Sequence, residues 1–262
     1  MEPALQDNVL GQLREAVHNR LAPHRHTALL TAIIAAFLVR PLIGDSGAGP
    51  ILFSSAMLVL LVLSLYNIDV DELVGDRQTL LAQRRRRSII AWTLGIPAIA
   101  ERLIVIFTPS HSIYLAGSIV WLLLFAFITW NELRAVLKQK DITREVISMA
   151  ISVYLLFGLT FGLFYIVLHD IQPNAFSFGA GGPASEQQTI PVLIYFSLTT
   201  LSTIGFGDIT PLTLQARYAA VAEGITGQFY LAILVARLVG MQMSQAASQH
   251  SEPKTVDSDT TE

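Results

Sequence analysis

The chain has 262 residues, 52% of them hydrophobic and only 14% charged, with a mean hydropathy of +0.53. Soluble domains carry about 25% charged residues, so this composition excludes an ordinary soluble globule and indicates a membrane protein. The net charge of −3 says little about partners, but the absence of cysteine excludes disulfides and thiolate metal sites.

In residues 1–26, Leu5, Val9, Leu13, Val17 and Leu21 recur every four positions and share one helical face, with Arg14, Arg20 and Arg25 off that stripe. A cytoplasmic amphipathic segment is expected, lying on the membrane or packed on the protein's own cytoplasmic side. The segment has neither the apolar core nor the small-residue cleavage site of a signal peptide, so insertion is expected to use the first span.

About 20 apolar residues cross a bilayer core. Six such stretches occur, at 27–43, 50–67, 88–107, 112–131, 146–168 and 214–240. The first four make a peripheral unit over 27–131, and a charged amphipathic linker helix is expected over 132–145. Fourteen of the 17 basic residues fall on one side if both termini are cytoplasmic, and only Arg40, Arg102 and Arg217 do not. Arg84, Arg85, Arg86 and Arg87 form a topology anchor at the base of the third span, or a site for anionic lipid. Within the spans, Glu101 and Arg102 lie at a depth comparable to Arg40. Charges at that level need partners, so an intramembrane ion pair of Arg40 with Glu101 is expected, or a sensing role for the group. The fourth span has no basic residue, which argues against steep voltage gating by that helix.

After the fifth span, residues 169–189 hold two prolines and Gly179-Ala-Gly-Gly182 and are expected to form a mobile loop. An apolar run from Ile190 to Ser202 is short enough to be a half-helix. It leads into Thr203-Ile-Gly-Phe-Gly-Asp208, where two glycines alternate with bulky residues. Glycine reaches φ > 0 without a Cβ clash, so Gly205 and Gly207 allow successive carbonyls to turn toward one axis. Thr210-Pro211 is expected to start the last helix, with Thr as N-cap. The sixth span carries Glu223, Gly224, Gly227 and Gln228. A mid-helix glycine costs about 1 kcal/mol relative to alanine, so Gly227 signals bending or close packing. Glu223 is either a functional carboxylate or a hydrogen-bonded partner behind the half-helix. Residues 241–262 are Ser-, Gln-, Asp- and Thr-rich and are expected to be a disordered cytoplasmic tail, too short for a ligand-binding domain of ~100 residues.

Thr203, Gly205, Phe206, Gly207 and Asp208 match the pattern T-x-G-[YF]-G-D, and the chain here resembles the potassium channel family. The resemblance is strong over 146–240 and only architectural over 27–131. It implies an all-α integral membrane protein: a four-helix transmembrane bundle followed by a two-helix pore domain at 146–240 with a re-entrant pore helix. The implied filter is Thr203, Ile204, Gly205, Phe206 and Gly207, four copies of which replace the hydration shell of a dehydrated ion. Asp208 would enrich cations at the mouth. Tyr195, Phe196, Thr199 and Thr200 would support the filter, and Gly224, Gly227, Gln228 and Glu223 would form a gating hinge or face the cavity.

The family implies a homotetramer in the plasma membrane, of bacterial inner-membrane type, with potassium as permeant ion, no cofactor, no nucleic acid and no enzymatic activity. Phe206 replaces the usual Tyr, and Thr199 stands where some relatives carry a Glu. A weakly selective cation channel is therefore an alternative, and a secondary transporter or accessory membrane protein a more distant one. Transporters also place broken helices at the midplane, but they usually show repeated halves.

Overall fold

The computed structural model describes residues 25–43, 55, 59–60, 62–64, 89, 93–98, 100, 111–139, 142–179 and 186–250. Among these residues, five helices and one short β-ladder follow in chain order: α1 (Arg25–Ile43), α2 (His111–Lys138), α3 (Arg144–Ile171), β1 (Phe176–Phe178), α4 (Glu186–Leu201), β2 (Ile209–Pro211) and α5 (Leu214–His250). Among the described residues, three segments are long and apolar enough to cross a membrane: Ser112–Lys138, Arg144–Ile171 and Leu214–Met243. Two apolar helices, His26–Leu38 and Gln188–Leu201, are shorter. The chain is a mostly helical, multi-pass membrane protein.

The hub is α3, which packs against α1, α2, α4 and α5. Its mates are held by apolar contact and by a few buried hydroxyls. Thr129 on α2 bonds Thr160 on α3 at 2.9 Å, while also donating to its own Phe125 carbonyl at 2.8 Å. Such hydroxyls join helices where lipid supplies no hydrophobic drive between them. Small residues bring α4 close: a Cβ on Gly162 would fall 3.0 Å from the Ile194 Cα, and one on Gly158 would fall 2.6 Å from the tip of Leu198. Leu156, Leu159, Tyr165, Leu193 and Phe196 fill the resulting core.

A second apolar cluster, Val136, Met149, Ala150 and Val153, lies where the end of α2 and the start of α3 meet Tyr230 and Leu234 of α5. Here Tyr230 donates to the Ala150 carbonyl at 2.7 Å, and the Arg237 guanidinium reaches the Leu137 and Gln139 carbonyls, both at 2.6 Å. A cation on the last carbonyls of a helix satisfies orphan acceptors and opposes the negative dipole end. The start of α1 is capped in the complementary way. Glu145, in the first turn of α3, accepts from the His26 and Thr27 amides at 3.1 and 3.4 Å and from the Thr27 hydroxyl at 2.7 Å.

Four expectations change. The linker over 132–145 is not a separate helix: Glu132–Lys138 continues α2, and α3 opens at Arg144 behind the N-cap Thr143, whose hydroxyl accepts from Val146. The loop expected over 169–189 contains regular structure. The helix α3 runs to Ile171, and β1 pairs antiparallel with β2, so the fold is not purely helical. The last helix starts three residues later than Thr210-Pro211 suggested. Those two residues lie in β2, and Thr213 takes the capping role, accepting from the Ala216 amide at 3.4 Å. The segment 241–262 is helical as far as His250. Its Met, Gln and Ala are good helix formers, and extending an existing helix needs no new nucleus.

Helical residues at 55, 59–60, 62–64, 89, 93–98 and 100 fall inside the expected second and third spans. Residues 1–24 of the amphipathic segment, the Arg84–Arg87 run and the side chains of the Arg40, Glu101 and Arg102 group lie outside the described residues.

Candidate functional site

The half-helix α4 ends against an irregular segment whose backbone alternates in handedness. Thr203 has φ 59, Gly205 φ 52 and Gly207 φ 79, while Ile204 and Phe206 between them are not among the positive-φ residues. Successive peptide planes therefore flip, which lets consecutive carbonyls face one side of the strand. The glycines carry this at no steric cost. Thr203 is the surprise, because a β-branched residue with φ > 0 is strained by about 1–3 kcal/mol.

Its cause is the helix end. The Thr203 amide bonds the Thr200 carbonyl at 3.0 Å and the Ile204 amide bonds the Thr199 carbonyl at 2.9 Å. This is the paired 5→2 and 6→1 pattern of a Schellman cap, with Thr203 in the left-handed position that glycine usually takes. Thr203 is at once the last cap of α4 and the first residue of the alternating strand. The Gly205 amide shares the Thr199 carbonyl at 3.1 Å, and the Leu201 carbonyl accepts from Tyr154 of α3 at 3.2 Å.

Behind this strand the expected supports divide. Tyr195 stacks on Phe206, with ring centroids 6.3 Å apart and planes within 5°. Phe196 turns the other way. It is buried and meets Tyr165 of α3 at 5.2 Å and Phe176 of β1 at 5.4 Å. Thr199 is buried, with its hydroxyl on the Phe196 carbonyl at 2.9 Å. The carbonyl of Thr200 faces Gly224 of α5, where a Cβ would find ordinary contact at 3.8 Å. The outer end is tied to the ladder: Asp208 accepts from the Gly179 amide at 2.9 Å, and Phe178 pairs with Ile209.

The helix α5 is unbroken through Gly224 and Gly227. A Cβ on Gly227 would fall 2.5 Å from the Leu201 carbonyl oxygen, so this glycine permits close approach to the end of α4. Gln228 is exposed. Glu223 is fully buried and accepts from Tyr165 at 2.6 Å and from Ser197. Tyr165, Ser197 and Tyr154 went unnoticed in the sequence; only Ser197, a polar residue in an apolar run, left a local signal.

The residues from Thr203 to Asp208 are all exposed in the single chain, and a Cβ on Gly205 or Gly207 would meet nothing within 4 Å. On α5, Tyr218, Val221, Ile225 and Phe229 are also exposed at helical spacing. One copy thus presents a row of carbonyls and an apolar helix face without their complement.

Residues 149–243, from α3 through the alternating strand to α5, match the family model described as an ion channel. The chain is also 33% identical over 72 residues to the potassium channel protein kcv of Paramecium bursaria Chlorella virus 1. That alignment covers 27% of this chain and 76% of the viral protein.

Proposed function

Because the chain belongs to the potassium channel family, we propose that Thr203, Ile204, Gly205, Phe206 and Gly207 form the selectivity filter of a potassium-selective pore. The observation that carries this reading is the alternation of φ at Thr203, Gly205 and Gly207. A strand so built offers successive carbonyls to an axis, and a ring of such oxygens from several copies replaces an ion's water shell. One strand gives one oxygen per ring, so four copies are required, and the exposed apolar face of α5 supports their packing. The protein is an ion channel and not an enzyme. Potassium is the permeant ion, and the passive flux needs no cofactor.

In this reading α3, α4 and α5 are the outer, pore and inner helices of a pore domain at 146–240, and 27–131 is the peripheral unit. The mouth, with Asp208, faces outward, and both termini are cytoplasmic, in a plasma membrane of bacterial inner-membrane type. Gly227 serves first as a close-packing residue and allows the inner helix to bend there. The Arg84–Arg87 run is a topology anchor on the cytoplasmic side, with anionic lipid headgroups as its alternative partner.

A weakly selective cation channel is the second reading, motivated by Phe206, which lacks a hydroxyl to tie the filter to its surroundings. Its stacking on Tyr195 supplies another tie. Reversal potentials of the purified chain in bilayers with potassium on one side and sodium on the other test the choice. A reversal potential displaced strongly toward potassium is expected, and one near zero, meaning equal permeability, overturns selectivity.

A further inference from the structure

The buried carboxylate on the inner helix has a proton count that fixes its role, given the filter proposed above. Tyr165 Oη lies 2.6 Å from Glu223 Oε2, and Ser197 Oγ touches Oε1. Ser197 Oγ also lies 2.7 Å from the Gly158 carbonyl oxygen. These groups come from α3, α4 and α5, and Glu223, Tyr165 and Ser197 are all fully buried. Ser197 has one proton but faces two acceptors, a carbonyl and a carboxyl oxygen. Three hydrogen bonds need three protons, and the two hydroxyls bring only two.

We propose that Glu223 is present as the neutral acid, brings the third proton, and acts as the positioning residue for the filter. Tyr165 donates to Oε2, Oε1–H donates to Ser197, and Ser197 passes its own proton to the Gly158 carbonyl. Every member is then satisfied, whereas an ionised carboxylate would leave the buried cluster one proton short. Ser197 stands two residues before Thr199, whose carbonyl binds the Ile204 and Gly205 amides. The strut therefore sets where the base of the filter sits, six residues beyond Ser197 at Thr203. It takes over the work of a carboxylate at the position of Thr199, whose hydroxyl is turned back onto Phe196. Because that carboxyl rides on the inner helix, movement of α5 is transmitted to the pore helix through this contact.

The full chain is reconstituted in planar bilayers, after gel filtration shows assembly. The readouts are the potassium-to-sodium permeability ratio and the decay of current after opening. Glu223→Gln keeps one acceptor and one donor in the same places, so its ratio and decay stay within about twofold of the unaltered chain. Glu223→Leu removes the chain of bonds, and its ratio falls or its decay accelerates by about tenfold or more. Tyr165→Phe and Ser197→Ala each delete one link at nearly constant volume, shift the same readouts the same way by a smaller factor, and decide the matter if the Leu variant does not assemble.

An assembled Leu variant that conducts like the unaltered chain overturns the strut, as do Phe and Ala variants that both remain unchanged. A Gln variant as impaired as Leu overturns the neutral acid. Equal permeability in the unaltered chain instead overturns the filter, and the strut with it.

Discussion

Gly227→Ala adds one methyl group at the tightest contact between the inner helix and the end of the pore helix. The new Cβ lies 2.5 Å from the Leu201 carbonyl oxygen and 2.9 Å from its Cδ1. The side-chain carbon can rotate away, but the carbonyl belongs to backbone and is held by Tyr154 at 3.2 Å. To reach the 3.4 Å at which ordinary contact begins, α5 must retreat by roughly 0.9 Å, or the base of the filter must move by as much. Overpacking of this kind costs about 1–3 kcal/mol, set against a helix-propensity gain of about 1 kcal/mol.

Gly224→Ala isolates the first quantity. It sits one turn earlier on the same helix, enjoys the same propensity gain, and its Cβ would meet the Thr200 carbonyl at a comfortable 3.8 Å. The difference in stability between the two variants is therefore about 1–3 kcal/mol, with Gly224→Ala the more stable. Thermal unfolding of the detergent-solubilised assembly, followed by helix content, measures it. Equal stability of the two variants would refute the close contact and leave bending as the reason for Gly227.

Thr203→Gly relieves the left-handed strain and raises stability by about 1 kcal/mol in the same unfolding assay. It also removes the one side-chain hydroxyl of the proposed filter, so potassium conductance falls; an unchanged or lower melting temperature would show that Thr203 is unstrained. Glu145→Ala strips the cap from the start of α1 and costs about 1–3 kcal/mol, because three donors lose their acceptor. Amide exchange at His26 and Thr27 should accelerate with it, and unchanged exchange would contradict the cap. Arg237→Leu frees the Leu137 and Gln139 carbonyls and costs about 1 kcal/mol. Since this contact joins the lower inner helix to the end of α2, the variant's open probability at fixed conditions should also differ from that of the unaltered chain; no change in either measurement would rule out that latch.

The alternating backbone of the proposed filter was legible because its physics is local. Glycine at 205 and 207 is a direct demand of the backbone, and it survives translation into coordinates as φ 52 and φ 79. The apolar runs of α1, α2, α3 and α5 were legible for the same reason, since each satisfies its own backbone and needs only length. What escaped notice depends on partners. Phe176-Ser-Phe178 and Ile209-Thr-Pro211 are too short to announce themselves as strands, and only their mutual pairing makes them so. That pairing moved the start of α5 to Thr213, because Pro211 serves as a strand residue rather than a helix opener. The partners of Glu223 stand 58 and 26 residues away in the chain, so spacing along one helix could not find them. Thr203 was read only as the first residue of the Thr203–Asp208 pattern; its second task, closing α4, follows from where that helix stops.

The most direct measurement is a density map of the assembled protein with rubidium or thallium in place of potassium. Four subunits around one axis are expected, with the heavy ions on that axis at the level of the carbonyls from Thr203 to Gly207. Heavy-ion density elsewhere, a strand that lies off the axis, or an assembly of any other number would contradict the carbonyl cage on which everything above depends.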